Sequence, residues 1–222
     1  MGIELFPSMM CADHGRFAEE LSALEKAGAD GFHIDIMDGR FVPNYAMSLG
    51  DLQYFAHAAC VPLDVHLMME HPTRYMEPFL APLRPGDTVY IHAESDYQPA
   101  AALREIAERG LVPGIALNPG TGAEGLKELL KIARRVLVMT VNPGRAGQKY
   151  LSYVDEKLAE LLAVKEKYGF ELELDGAIGA GTIKKHAPAG VKGFVLGTSL
   201  LFGKDEPYDR LITRAREAAD RG

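Results

Sequence analysis

EKAGADGFHIDIMD, residues 25–38, holds a helix end, a joint and the start of a chemically unusual strand. Gly28 follows the last periodic residues of a helix, at the place where glycine takes left-handed dihedrals and stops the turn. Phe32 to Met37 then reads as a strand, whose successive side chains point to opposite faces, so His33 and Asp35 share one side. The same joint recurs: Ala27-Gly28-Ala29-Asp30-Gly31 leads into this strand, and Ala189-Gly190-Val191-Lys192-Gly193 leads into another.

Outward from that joint the chain alternates. Strand-like runs fall at 3–8, 31–36, 62–67, 88–93, 112–118, 136–141, 170–175 and 193–197. Helix-like segments fall between and after them, at 14–27, 48–58, 72–80, 99–109, 122–134, 152–168, 180–187 and 207–220. In the first, Phe17, Leu21 and Leu24 lie on one face and Glu19, Glu20 and Lys26 on the other. Gly110 and Gly169 repeat the helix stop of Gly28. The later strands are rich in Val, Ile and Leu, as expected where both faces are covered. Eight β-then-α units fit a closed (β/α)8 barrel, the TIM-barrel architecture, better than an open sheet. No glycine-rich dinucleotide fingerprint follows the first strand, which reads PSMMCAD at 7–13. With no linker or composition break, residues 1–222 are expected to form one domain.

Composition narrows the function. Hydrophobic residues make up 47% and charged residues 25%, an ordinary globular balance. A net charge of −7 argues against nucleic-acid binding, which needs a basic face. Cys11 and Cys60 are too few for a disulfide framework and are expected to be reduced and buried. No stretch approaches the about 18 apolar residues of a membrane span, and the N-terminus lacks the features of a signal peptide, so a cytoplasmic location and no membrane partner are expected.

The second β-like run with chemistry is LDVHLM at 63–68, where Asp64 and His66 again share a face. Two His/Asp pairs on neighbouring strands make a mixed N/O donor set for zinc, manganese or iron. Barrel chemistry gathers at the C-terminal ends of the strands. Ser8, His33, Asp35, His66, His92, Asn118, Asn142 and Asp175 occupy such ends, where a plain core would place aliphatic residues. Asp35 and Asp175 fall on the second and seventh strands, so their carboxylates can approach the axis from different sides. Two such groups, on opposite faces of a flat intermediate, would invert a stereocentre. VNPGRAGQ at 141–148, DGAIGAGT at 175–182 and LGTS at 196–199 are glycine-bearing loops that can bring backbone N–H groups close to an anion. The loops after strands seven and eight are where barrels often bind phosphate. Met37, Met68 and Met139 lie near strand ends and could line a water-poor pocket as well as pack a core.

PSMMCAD (7–13), FHIDIMDGRFVPN (32–44), PLDVHLMME (62–70), MTVNPGRAGQ (139–148), ELDGAIG (173–179) and VLGTSLLFG (195–203) together resemble the motifs of the ribulose-phosphate 3-epimerase family. The resemblance implies a barrel enzyme, with one divalent ion and no organic cofactor, that inverts C3 of a phosphorylated 2-ketose through a cis-enediolate. By position it makes His33, Asp35, His66 and Asp175 the metal ligands, Asp35 and Asp175 the acid/base pair, and Asp64 a non-ligand. That revises the pairing suggested by the two strands alone. Ser8 and His66 match substrate contacts. Gly144, Arg145, Ala146, Gly147, Gly176, Ala177, Gly197 and Thr198 match the lid and phosphate segments, and the three methionines match a lining trio.

Three features depart from the family pattern. Arg145 replaces an aromatic lid residue, Ala177 replaces a glycine, and YAMSLGD at 45–51 lacks the usual ending. All lie near the substrate. The resemblance implies D-ribulose 5-phosphate and D-xylulose 5-phosphate as the substrate pair, with D-allulose 6-phosphate and D-fructose 6-phosphate as the alternative and a non-catalytic sugar-phosphate barrel as the rival. Zinc, iron, manganese and cobalt all suit the donors, and a homodimer or hexamer is the implied assembly.

Overall fold

Strand β2 (Phe32–Met37) is buried along its whole length, yet its two faces meet different neighbours. Phe32, Ile34 and Ile36 join an apolar layer shared with the surrounding helices, whereas Met37 packs with Met68 and Val42. In the computed structural model, which describes residues 2–221, this division holds around a ring of eight parallel strands. The others are β1 (Glu4–Pro7), β3 (Leu63–Met68), β4 (Thr88–His92), β5 (Val112–Leu117), β6 (Arg135–Met139), β7 (Glu171–Asp175) and β8 (Gly193–Leu196). Neighbouring strands pair in the order β1-β8-β7-β6-β5-β4-β3-β2, and a parallel bridge between Ser8 and His33 brings the two ends together. The chain folds as a (β/α)8 TIM barrel.

Leu5, Val65, Ile91, Ile115, Val138, Leu172 and Phe194 lie in the outer layer under the helices. Fully burying such a side chain contributes about 1.5–3 kcal/mol. Tyr90, Ala116, Leu137, Met139, Val141 and Val195 form a smaller core inside the ring. Two glycines make room there. A Cβ on Gly114 would lie 2.3 Å from the Tyr90 ring, and one on Gly193 would lie 2.6 Å from Glu173 Oε2.

The helices are α1 (Phe17–Lys26), α2 (Leu49–Ala58), α3 (Pro72–Tyr75), α4 (Glu77–Leu80), α5 (Pro99–Glu108), α6 (Lys127–Leu130), α7 (Val154–Tyr168), α8 (Ala180–His186) and α9 (Tyr208–Asp220). Ser48 and Asp51 form a reciprocal capping box at the start of α2. Gly28, Gly110 and Gly169 all have positive φ, as their helix-stop reading requires.

Several expectations need correction. The segment 72–80 is two short helices, because Pro78 is tolerated in a first turn but breaks a continuous helix. The segment 122–134 is a 3-10 turn, Glu124–Leu126, followed by the single turn of α6, with Gly125 weakening its start. The segment 14–27 likewise begins with a 3-10 turn, His14–Arg16. The cysteines are free as expected but not buried: Cys60 is exposed on the loop before β3, and Cys11 is half-buried. The apolar runs around them misled because a local apolar stretch does not say which side of it the helices cover.

Candidate active site

Register assembles the site. Asp35 on β2 lies opposite His66 on β3, Met37 opposite Met68, and Met139 on β6 opposite Asp175 on β7. His33 Nε2 and His66 Nδ1 converge on Asp35 Oδ1, at 3.3 and 3.4 Å. The same nitrogens lie 3.9 and 3.8 Å from Asp175 Oδ2. Donor atoms of His33, Asp35, His66 and Asp175 all fall within 4.8 Å of one another. Both nitrogens are buried and have no hydrogen-bond partner. Leaving a buried polar atom unmatched costs about 1–3 kcal/mol, so two aimed at one point with two carboxylates fit a divalent cation. Two imidazoles and two carboxylates suit a borderline first-row ion.

Each donor is held from behind. Asp64 Oδ2 contacts His33 Nδ1 at 2.5 Å, which holds a proton on that side and, in the neutral ring, leaves the Nε2 lone pair toward the site. His66 Nε2 lies 2.8 Å from His92 Nε2. The Ser8 hydroxyl donates to Asp35 Oδ2 at 2.8 Å. The backbone N–H of Thr140 donates to the Asp175 carbonyl at 2.7 Å and fixes the end of β7.

Burial and mutual charge set the protonation states of the free side chains. Burial alone would lower the His33 ring, but Asp35 and Asp64 drive it well above the usual histidine range. Burial would raise Asp35, but His33 and His66 hold it well below the usual carboxylate range. Burial pushes Asp175 up to about 7, with the Asp35 charge adding to it. Burial brings His66 down to about 4 and lowers His92. Glu94 would rise on burial, but His92, Thr121 and Asn118 hold it at about 2. A divalent cation reverses this logic, favouring neutral rings and ionised carboxylates.

A narrow cleft opens over this floor. Ser8, Asp35, Asp175 and the trio Met37, Met68 and Met139 line it. The glycine-bearing loops line it too, through Gly144, Arg145, Ala146, Gly147, Gly176, Ala177, Gly197 and Thr198. His33 and His66 are fully buried behind Asp35 and do not reach its wall, which leaves His66 a donor rather than a wall residue. His92, Asn118 and Asn142 are also absent from the wall. The 141–148 loop is pinned on both sides: the Asn44 side chain donates to the Gly144 carbonyl at 2.7 Å, and Gln148 donates to the carbonyls of Asn142 and Arg145. Met10, Cys11, Gln148, Ile178 and Ser199 also line the cleft. They sit inside or beside the glycine-bearing loops and PSMMCAD, and proximity to those motifs was the available signal.

Residues 4–201 match the ribulose-phosphate 3 epimerase family. A ribulose-phosphate 3-epimerase of Helicobacter pylori is 38% identical over 91% of this chain and 93% of its own. Proteins of the same description from Mycobacterium tuberculosis and Methanocaldococcus jannaschii are 35% and 34% identical, covering 96% and 98% of this chain and 91% of each relative. Among solved structures, phosphoribosyl anthranilate isomerase of Thermococcus kodakaraensis superposes with a TM-score of 0.65 at 15% identity over 100% of both chains. The tryptophan synthase alpha subunit of Legionella pneumophila gives 0.64 at 14%, over 99% of this chain and 94% of that one. At such identities those two speak for the fold alone.

Proposed function

This chain belongs to the ribulose-phosphate 3-epimerase family and is a carbohydrate isomerase, and from that premise we propose that it interconverts D-ribulose 5-phosphate and D-xylulose 5-phosphate. The observation that carries the reading is the pair of carboxylates from β2 and β7 meeting two unpartnered imidazole nitrogens at the floor of one cleft. A binding module has no need of two acid/base groups so placed.

The C3 proton is acidified by the adjacent C2 ketone, and its removal leaves a planar cis-enediolate. Asp35 takes that proton on one face, at the Oδ2 that Ser8 aims through its hydroxyl. Asp175, arriving from β7, returns a proton to the other face, and C3 is inverted. His33, His66, Asp35 and Asp175 would hold one divalent ion. When bound, that ion supplies Lewis-acid stabilisation of charge developing on the substrate oxygens. Met37, Met68 and Met139 exclude water from the carbanionic stage. The loops bearing Gly176, Ala177, Gly197 and Thr198 hold the phosphate, with the lid residues Gly144 to Gly147 closing over it. This chemistry requires no organic cofactor. The same reading includes one domain, supported by the unbroken ring of strands, and homo-oligomeric assembly, supported by the exposed Tyr45, Tyr75 and Tyr97.

Epimerisation in deuterium oxide tests the reading: product carrying deuterium at C3 is expected, and product without it sinks the two-carboxylate scheme. The second reading is the six-carbon pair D-allulose 6-phosphate and D-fructose 6-phosphate, toward which PSMMC (7–11), VMTV (138–141) and GTSLLF (197–202) lean by resemblance. A kcat/KM comparison decides between them, and a strong preference for the hexulose overturns the pentulose assignment.

A further inference from the structure

His66 turns Nδ1 toward Asp35 and Asp175 and Nε2 toward His92, whose own Nε2 is 2.8 Å away. Two imidazole nitrogens at that separation share one proton, and the pair alone does not decide which ring owns it. Asp35, 3.4 Å from His66 Nδ1, draws the shared proton toward His92, and a carboxylate on the far side draws it back. His92 Nδ1 lies 3.4 Å from Glu94 Oε2, out of line for a hydrogen bond but facing a group that accepts and does not donate when ionised. Glu94 is itself anchored, because Oε1 accepts from the Asn118 N–H at 3.0 Å and from the Thr121 hydroxyl. The His66 and His92 rings lie 4.9 Å apart at 25°, and the Phe41 ring covers His92 at 4.6 Å.

We infer that Glu94 and His92 are positioning residues for the metal-holding site. For His66 Nδ1 to offer its lone pair to a cation, the shared proton must sit on His66 Nε2; His92 Nε2 then accepts it, and the His92 proton stands on Nδ1 facing Glu94. The inference rests on the ligand set proposed above. Its physical basis is that the free nitrogen of a neutral imidazole is chosen by the hydrogen bond the other nitrogen makes. The two ring donors are thus prepared differently: His33 directly by Asp64, His66 through an intervening ring. Simple space-filling at position 92 would make no demand on proton placement.

Two measurements on the full chain test this. Nitrogen-15 spectra of the zinc-loaded protein should place the proton of His66 on Nε2 and that of His92 on Nδ1. This readout needs no substitution and survives any variant's failure to fold. Zinc affinity by chelator competition should weaken about 10–100-fold in His92→Leu and in Glu94→Ala, the usual range for losing a partner behind a ligand. His92→Gln, whose amide oxygen can accept the same proton, should recover most of that loss. A His92 proton on Nε2, or zinc affinity unchanged in both variants, overturns the inference. His66→Leu separates the two levels. If that variant binds zinc normally, the ligand set falls and this inference with it. If it loses zinc while His92→Leu and Glu94→Ala keep it, only the relay falls.

Discussion

Two charged clusters share the inside of this barrel, and they are completed by different means. Toward the N-terminal ends of the strands, Glu173 receives the Tyr90 hydroxyl at 3.0 Å and lies 3.4 Å from Arg135, which also reaches Glu4 at 2.6 Å. Burial, with the Asp64 charge adding to it, drives the Glu173 carboxyl well above its usual range, so it retains a proton close to Asp64. That cluster contains its own guanidinium and its own proton. Toward the C-terminal ends, His33, Asp35, His66 and Asp175 present donors with two unpartnered ring nitrogens and no lysine or arginine among them. A buried cluster that the chain itself neutralises supports the fold. One that needs a partner from outside points to function. Asp64 belongs to both, and passes the order of the lower cluster to His33.

If that division holds, changes in the upper cluster should cost turnover and changes in the lower one should cost stability. The largest effect is expected for Asp175→Asn, with kcat lowered about 10²–10⁴-fold, the range for losing a general acid, and little change in the melting transition. Near-normal turnover with metal still bound would remove Asp175 from the chemistry and break the comparison. Arg135→Met should do the reverse. Stranding the carboxyl groups around it is expected to cost about 3 kcal/mol in urea unfolding, with kcat of the folded fraction kept. A turnover loss larger than the folded fraction explains would join the clusters into one. Chelation should abolish activity and lower stability by about 2.7 kcal/mol relative to protein with the ion at a hundred times its Kd. Asp35→Asn should shrink that shift, whereas Arg135→Met should not.

Smaller effects sharpen the upper boundary of the site. Arg145→Phe should raise KM about 2–5-fold, the worth of an exposed charge contact; an unchanged KM removes Arg145 from substrate binding. Ala177 stands at φ 52, a left-handed position that strains a side chain. Ala177→Gly should therefore gain up to about 1 kcal/mol in thermal unfolding, after the extra chain entropy of glycine is discounted.

How much of this was legible varies with range along the chain. The eight strands, the joint at Gly28 and the shared face of His33 and Asp35 were readable because each depends on neighbours a few residues away. The resemblance of whole motifs carried the choice of Asp175 over Asp64 as fourth donor, which the two strand pairs alone could not make. Glu173, Tyr90 and Arg135 went unread as a cluster, since each looks like a lone polar residue or aromatic on its own strand. Glu94 was equally silent: nothing local says that it sits behind His92.

The sequence by itself determined the alternation of strands and helices, the face each polar residue takes, and the inventory of groups fit for metal and proton chemistry. Only the closed barrel decided partnership: that Asp64 turns to His33 Nδ1, that Asp175 comes within 3.9 Å of both facing ring nitrogens, and that His92 meets His66. The reason is physical. Side-chain alternation is a property of a few consecutive dihedrals, whereas contacts across the barrel follow from the register of eight strands and the closure of the ring.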